Sequence, residues 1–187
     1  MPFIRRTLSG KFSPGQTMVD TTMPEPWLSG TLPEIRSVPR AVLHSLELAH
    51  KDLKRWCGNL SDEQLNARPA GIAPISFHIR HIARSIDRLL TYTEGNQLND
   101  EQIVALKSEL DPNTSKNDLF LELETSLTRS AARIRQIDAA RLEEARFVGR
   151  KKLPATLGGL LVHVADHTQR HLGQAITTAR IVAASGS

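Results

Sequence analysis

Two of the seven histidines, His167 and His171, are four residues apart in a segment with helical apolar spacing. An α-helix turns about 100° per residue, so these two imidazoles lie about 40° apart on one face. The same row carries residues that are expected to face the core: Leu160, Val164, Ala175, Thr178 and Val182. A buried imidazole without a partner costs on the order of 1–3 kcal/mol. A metal ion bound by both rings would satisfy them together; the alternative is two core histidines hydrogen-bonded to backbone or to a carboxylate.

A third metal ligand is expected from a facing helix. His78 and His81 flank an isoleucine stripe in the second predicted helix, and His81 lies further from the centre of that stripe. The position on the helix face therefore favours His78 and makes His81 a candidate surface residue. His44 and His50 in the first predicted helix are further candidates, and His50 falls between two core positions. Spacing alone leaves the third ligand open.

The single cysteine, Cys57, limits the other chemistries. One cysteine excludes an intrachain disulfide framework and any multi-cysteine zinc or iron–sulfur site. Cys57 lies at the C-terminal end of the first predicted helix, where the helix dipole does not favour a thiolate. We interpret it as a small core residue rather than a nucleophile, so a metal would be bound by imidazole and carboxylate groups.

The elements that position the histidines are predicted to be helices. Four amphipathic segments have apolar residues at i, i+3, i+4 and i+7, and they cover residues 40–58, 74–95, 115–137 and 154–182. A short helix through Leu110, capped by Asn99 or Asp100, is predicted between the second and third segments. Pro154 is expected to open the last helix. With no alternating strand pattern in the sequence, these elements predict an all-α fold, a four-helix bundle over residues 40–183.

Six of the ten prolines fall within residues 1–39. Proline fixes φ and removes a backbone donor, so this segment is predicted to be an extended or irregular arm. Its few apolar residues, Phe3, Ile4, Trp27 and Leu28, are expected to pack on the body or on a second subunit. A partly disordered tail is the alternative.

Two segments resemble helices of the DinB/YfiT-like family. The family's second helix, with a small residue, Ile and then a His-Ile/Leu-Ala step, is similar to residues 74–90, PISFHIRHIARSIDRLL. Its last helix, with a His-x3-His pair followed closely by Gly-Gln, is similar to residues 163–180, HVADHTQRHLGQAITTAR. The resemblance extends in layout over residues 40–182, and residues 1–39 have no counterpart in it.

In that family one histidine of the second helix and two of the last helix bind a divalent metal. The resemblance therefore implies His81, His167 and His171 as ligands, and it replaces His78 by His81 as the third ligand. It also implies an up-down-down-up bundle that forms a homodimer. His78, Gln174, Asp166 and Asp87 are candidates for supporting the ligands from behind. For Asp166 and Asp87 the alternative is a surface ion pair.

Three neutral imidazoles leave coordination positions open, as in catalytic metal sites. Zinc and nickel are the favoured ions, with iron and manganese as further candidates. Relatives in the family include transferases that use low-molecular-weight thiols such as bacillithiol or mycothiol. The resemblance thus implies a metal-dependent thiol S-transferase acting on a small electrophile. The alternatives are a metal-dependent hydrolase and a non-enzymatic dimeric module with a structural metal.

The charge and the hydropathy of the sequence limit the classes of partner that the protein is expected to bind. The formal net charge is +4, but basic residues are interspersed with acids except at residues 5–6 and 150–152. A basic run of three is typical of a solvated loop, so nucleic acid is not an expected partner. No apolar run approaches the roughly 20 residues of a membrane span, and residues 1–30 lack the apolar region of a secretory signal. We expect a cytoplasmic protein whose partners are a small-molecule substrate and a thiol cosubstrate.

Overall fold

The computed structural model describes residues 24–111 and 114–185. Its long helices are α1 (Ser37–Cys57), α3 (Ile75–Thr93), α5 (Lys116–Arg135) and α6 (Leu157–Ser185). Shorter helices are α2 (Asp62–Asn66) and α4 (Asp100–Lys107), and single 3₁₀ turns cover Pro26–Leu28, Pro69–Gly71 and Ala139–Arg141. Strands β1 (Ala145–Val148) and β2 (Leu153–Thr156) form an antiparallel hairpin. The predicted helical fold is confirmed.

The long helices bury an aliphatic core. Helix α6 packs on α1 and on α3, and α3 also packs on α5. The largest fully buried side chains are almost all leucine and isoleucine, among them Leu53, Ile79, Ile86, Leu123 and Leu161. Helix α3 therefore has neighbours on two sides, which decides where its flanking residues point. The up-down-down-up order and the homodimer stay predictions.

Capping residues fix the start of α4, as the sequence indicates. The Asn99 side chain accepts a hydrogen bond from the backbone N–H of Gln102 at 2.8 Å, and the Gln102 side chain accepts one from the Asn99 N–H at 3.1 Å. This reciprocal pair satisfies two backbone donors that a helix start otherwise leaves without partners. The predicted start of the third long helix also forms, since Ser115 Oγ accepts from the Asp118 N–H at 3.1 Å.

The hairpin was not predicted, and the expectation that Pro154 opens the last helix is wrong. Pro154 lies in β2 opposite Phe147, and α6 begins only at Leu157. The Thr156 hydroxyl accepts a hydrogen bond from the Gly159 N–H at 3.0 Å and caps the helix instead. Strands of four residues are too short for an alternating pattern to be recognised.

The arm prediction is tested only in part. Phe3 and Ile4 lie outside the described residues. Trp27 and Leu28 are 61% and 59% exposed, so their predicted packing on the body is wrong, while packing on a second subunit stays a prediction. Leu32 and Ile35 pack against the core in their place.

None of the helices in the described part of the chain has the length and apolar character needed to cross a membrane.

Candidate metal centre

Three imidazoles meet between α3 and α6. His81 comes from α3, and His167 and His171 come from successive turns of α6. One nitrogen from each ring lies within 4.8 Å of the other two. The ring centres are 4.2 Å apart for His81 and His171, 4.6 Å for His167 and His171, and 5.0 Å for His81 and His167. The structure thus brings together the three histidines that the resemblance implied.

The position of His81 on the helix face suggested a surface residue. Its burial was underestimated because α3 is covered on more than one side. The isoleucine stripe of α3 is fully buried, and the flank that carries His81 faces α6 rather than solvent. The His81 side chain is only 15% exposed. His78, which its position on the helix face favoured as the third ligand, is also buried and lies one turn earlier on α3.

Both ring nitrogens of His81 have partners. Its Nδ1 lies 2.7 Å from Oε2 of Glu109, and its Nε2 lies 2.8 Å from Nε2 of His167. A carboxylate only accepts hydrogen bonds, so Nδ1 of His81 donates, and in the neutral ring Nε2 then presents its lone pair to the cluster. The tautomer of His81 is therefore the one that a metal bound at Nε2 requires.

Glu109 contacts the histidine cluster, and sequence reasoning did not single it out. Its side chain is 4% exposed, and its other oxygen accepts a hydrogen bond from Nη1 of Arg88 at 2.6 Å. Burial alone would raise the pKa of Glu109, but the hydrogen bonds from His81 and Arg88 outweigh burial and hold this pKa below its usual range. Glu109 lies in the turn after α4, 28 residues from His81, so no spacing rule connects the two.

His78 contacts the cluster on another side. Nδ1 of His78 lies 3.1 Å from Nδ1 of His171, so one of these nitrogens donates and the other accepts. Burial, with a smaller effect of His81, lowers the pKa of His78 to about 4. Burial and the neighbouring imidazoles also lower the pKa values of His167 and His171 to about 4. At neutral pH these rings are uncharged, which is the form that binds metals.

An aromatic ring packs against the cluster. Phe77 is stacked on His81, with ring centres 5.2 Å apart and an angle of 23°, and meets His171 edge-on at 6.2 Å. Sequence reasoning did not single out Phe77. The half-buried ring gives the cluster an apolar wall, which limits the access of water and strengthens electrostatic interactions there.

Two other predicted supporting residues lie on the outer face of α6. Asp166 is exposed, and its carboxylate contacts His163 at 2.9 Å and Arg170 at 3.4 Å. Gln174 is exposed and lines an open groove of about 500 Å³ that His78 also lines. Neither has a hydrogen bond to the three clustered imidazoles in the described part of the chain.

The remaining candidates lie elsewhere. Cys57 is fully buried, and burial raises the pKa of its thiol to about 12, which confirms it as a core residue. Nε2 of His44 lies 3.0 Å from the Thr31 hydroxyl. Nε2 of His50 lies 3.4 Å from Glu124. Asp87 forms an ion pair with Arg133 at 2.7 Å.

The donor set fits a divalent ion. Only one proton can lie between the facing Nε2 atoms of His81 and His167, 2.8 Å apart. Nitrogens bound to one zinc ion at about 2.0–2.1 Å would be about 3.3 Å apart in a tetrahedral site. Nδ1 of His167 is buried and has no hydrogen-bond partner among the described residues. An ion shared by the three rings would satisfy the facing nitrogens together, which a single proton cannot do.

An all-α fold with imidazoles converging from two facing helices is typical of helical metal-binding proteins. The sequence profile of the DinB superfamily matches residues 45–175, most of the chain. The chain therefore belongs to the DinB superfamily, and its three-histidine cluster is consistent with a metal-binding protein. A solved structure described as a conserved protein from Enterococcus faecalis is similar, with a TM-score of 0.65 and 20% identity over 80% of this chain and 99% of that one. No curated protein matches this chain.

Proposed function

We propose that this protein is a metal-dependent enzyme that transfers a low-molecular-weight thiol to a small electrophile. The observation that carries the proposal is the convergence of three imidazoles, His81, His167 and His171, for which the described residues supply no fourth ligand. Structural zinc sites are closed by four protein ligands, whereas catalytic sites keep a position for water or substrate.

The metal would lower the pKa of a bound thiol or water and so supply a nucleophile at neutral pH. The chain's own residues hold the rings that face this position. Glu109 accepts a hydrogen bond from His81, and Phe77 is stacked on the same ring. Zinc or nickel suits the all-nitrogen donor set, with iron or manganese as further candidates.

The state of the only cysteine supports a thiol that arrives as a cosubstrate. Cys57 is fully buried, and its raised pKa keeps it protonated. A thiolate is the reactive form of a thiol. Because Cys57 is buried and protonated, it is not suited to act as the nucleophile. With an organic halide as the electrophile, the sulfur–carbon bond forms and the carbon–halogen bond breaks. The halide ion leaves, and the thiol proton passes to solvent.

The groove beside His78 suits one end of such a cosubstrate. Arg170 is the only charged residue among those that line it, and Ile72 and Ala73 add apolar surface. His78 joins the groove to the cluster through its contact with His171. A guanidinium is well matched to a carboxylate, so a thiol that carries a carboxylate fits this groove better than one without it.

Metal analysis of untagged protein tests the first half of the proposal. We expect close to one metal ion per chain and a metal-dependent rise in melting temperature. Less than about 0.1 equivalent, with no such rise, would contradict the proposed metal site.

The second half is tested by following chloride release from chlorodinitrobenzene with cysteine as the thiol. Chloride release above the uncatalysed rate is expected only when protein, metal and thiol are all present. Metal binding without thiol-dependent turnover would favour the alternative, a non-enzymatic module with a structural metal. In that case His81→Ala would lower the melting temperature and change no rate.

A further inference from the structure

The turn after α4 delivers a buried carboxylate to one of the three clustered rings. We infer that Glu109 is a positioning residue that fixes the orientation and tautomer of His81, and that α4 and its turn are anchored to α3 for this purpose. The inference rests on the proposed metal site and adds a residue that lies outside the two segments carrying the family resemblance.

Two arginines of α3 hold the turn in place. Nη1 of Arg80 donates to the backbone oxygens of Ser108 and Glu109, each at 3.1 Å. Nη1 of Arg84, one turn later, donates to the backbone oxygen of Ala105 at 2.7 Å. The last carbonyl groups of a helix lack partners within the helix, and cations are favourable at this end. Arg80 is 4% exposed, so this anchor is part of the interior rather than of the surface.

A third arginine fixes the carboxylate itself. Arg88 lies one further turn along α3, and its Nη1 donates to Oε1 of Glu109 at 2.6 Å. Oε2 of Glu109 then faces Nδ1 of His81 at 2.7 Å. With one oxygen on each partner, the carboxylate has little freedom to rotate. Glu109 is 4% exposed and Arg88 is 8% exposed, so water offers little competition for either contact.

The consequence for His81 is chemical as well as steric. An ionised carboxylate can only accept, so it selects the tautomer with the proton on Nδ1. Nε2 is then left unprotonated and directed at His167. Carboxylates that hold metal-binding histidines in this way raise ligand basicity, and their loss typically costs 10–100-fold in metal affinity.

A purely structural role for the Glu109–Arg88 pair predicts something different. In that case, removing Glu109 would lower stability and leave the His81 tautomer unchanged. The alternatives are separated by two readouts, the tautomer of the metal-free protein and the affinity of the metal-bound one. Removing Glu109 alone also leaves Arg88 buried without its charge partner, which is strongly destabilising.

Four variants of the full-length protein address this. Glu109→Gln keeps an oxygen that can accept from His81, and Glu109→Ala removes it. The double variant Glu109→Met with Arg88→Met removes both charges together, a change that is often tolerated in protein interiors. Glu94→Ala is the matched control, because Glu94 also pairs with an arginine, Arg133 at 2.7 Å, and lies outside both the α4 turn and the histidine cluster.

Long-range proton–nitrogen NMR of the metal-free protein at neutral pH reports the tautomer. We expect the Nδ1–H form of His81 in the wild type, in Glu109→Gln and in Glu94→Ala. In Glu109→Ala and the double variant, we expect a mixture with the Nε2–H form. An unchanged His81 tautomer in the double variant would overturn the inference, even if Glu109→Ala does not fold.

Titration with Co²⁺, followed by its d–d absorption, reports the affinity. We expect about 10–100-fold weaker binding for the double variant, with Glu109→Gln within a few-fold of wild type. Equal affinity of the double variant and wild type would also overturn the inference. If wild-type protein binds no Co²⁺, the proposed function fails, and the NMR experiment still decides whether Glu109 positions His81.

Discussion

Replacing His171 by alanine should abolish the stabilisation that a divalent metal gives the folded protein. His171 supplies one of the three clustered nitrogens, all within 4.8 Å of one another, so the variant keeps only two ligands. An ion that binds only the folded state stabilises it by about 2.7 kcal/mol at a free concentration 100 times its Kd. For a chain of 187 residues this corresponds to a rise in Tm of about 5–11 °C.

The assay is thermal unfolding of chelator-treated protein, with and without Zn²⁺ at that concentration. We expect the full rise in Tm for wild type and little or none for His171→Ala. Without metal, the variant loses mainly its contact with His78, a hydrogen bond worth about 1 kcal/mol, so it should still fold. The separation between the two proteins therefore comes from the metal and not from a general loss of stability.

His163→Ala is the matched control, because His163 lies on α6 two turns before His171. It pairs with Asp166 at 2.9 Å and is not one of the three clustered histidines. We expect His163→Ala to keep the full metal-dependent rise in Tm. The reasoning is refuted if His171→Ala keeps the full rise, or if both variants lose it equally.

Three further results are expected. Cys57 should react with a disulfide reagent at pH 8 only after unfolding, because burial raises the pKa of its thiol to about 12; rapid release of the chromophore from native protein would contradict this. Metal-free protein should lose stability as the pH falls from about 6.5 towards 4. The pKa values of His78, His167 and His171 fall to about 4 in the folded state, so the unfolded chain takes up protons first; a urea midpoint independent of pH over this window would oppose this reading. Arg170→Gln should raise the KM for cysteine and leave the KM for cysteamine, which has no carboxylate, nearly unchanged; equal effects on both thiols would remove the groove from the proposed reaction.

The helices and the ligand pair of α6 could be predicted because their signals are local. The capping pair Asn99 and Gln102 is separated by three residues, and His167 and His171 are separated by one helical turn. Such patterns depend only on the geometry of a single helix. Sequence alone was sufficient at this level, and it located two of the three clustered rings.

The third ring and its supports could not be derived from spacing. Distance from the isoleucine stripe suggested a surface position for His81, because a single-helix projection does not contain the neighbours of α3. The contact between His81 and Glu109 joins α3 to a turn 28 residues away, and that turn is held by Arg80 through backbone oxygens rather than through a sequence motif. Family resemblance identified His81, but neither resemblance nor periodicity indicated Glu109.

The histidine cluster is poorly explained as a device for stability. Burial lowers the pKa values of His167 and His171 to about 4, so the fold keeps these rings neutral at the expense of stability in acid. Nδ1 of His167 is buried without a hydrogen-bond partner among the described residues. Aliphatic side chains at these positions would continue the core without either disadvantage. Residues that depart from local packing rules in this way are expected at functional sites, and the proposed ion, shared by the three rings, would offset this cost in stability.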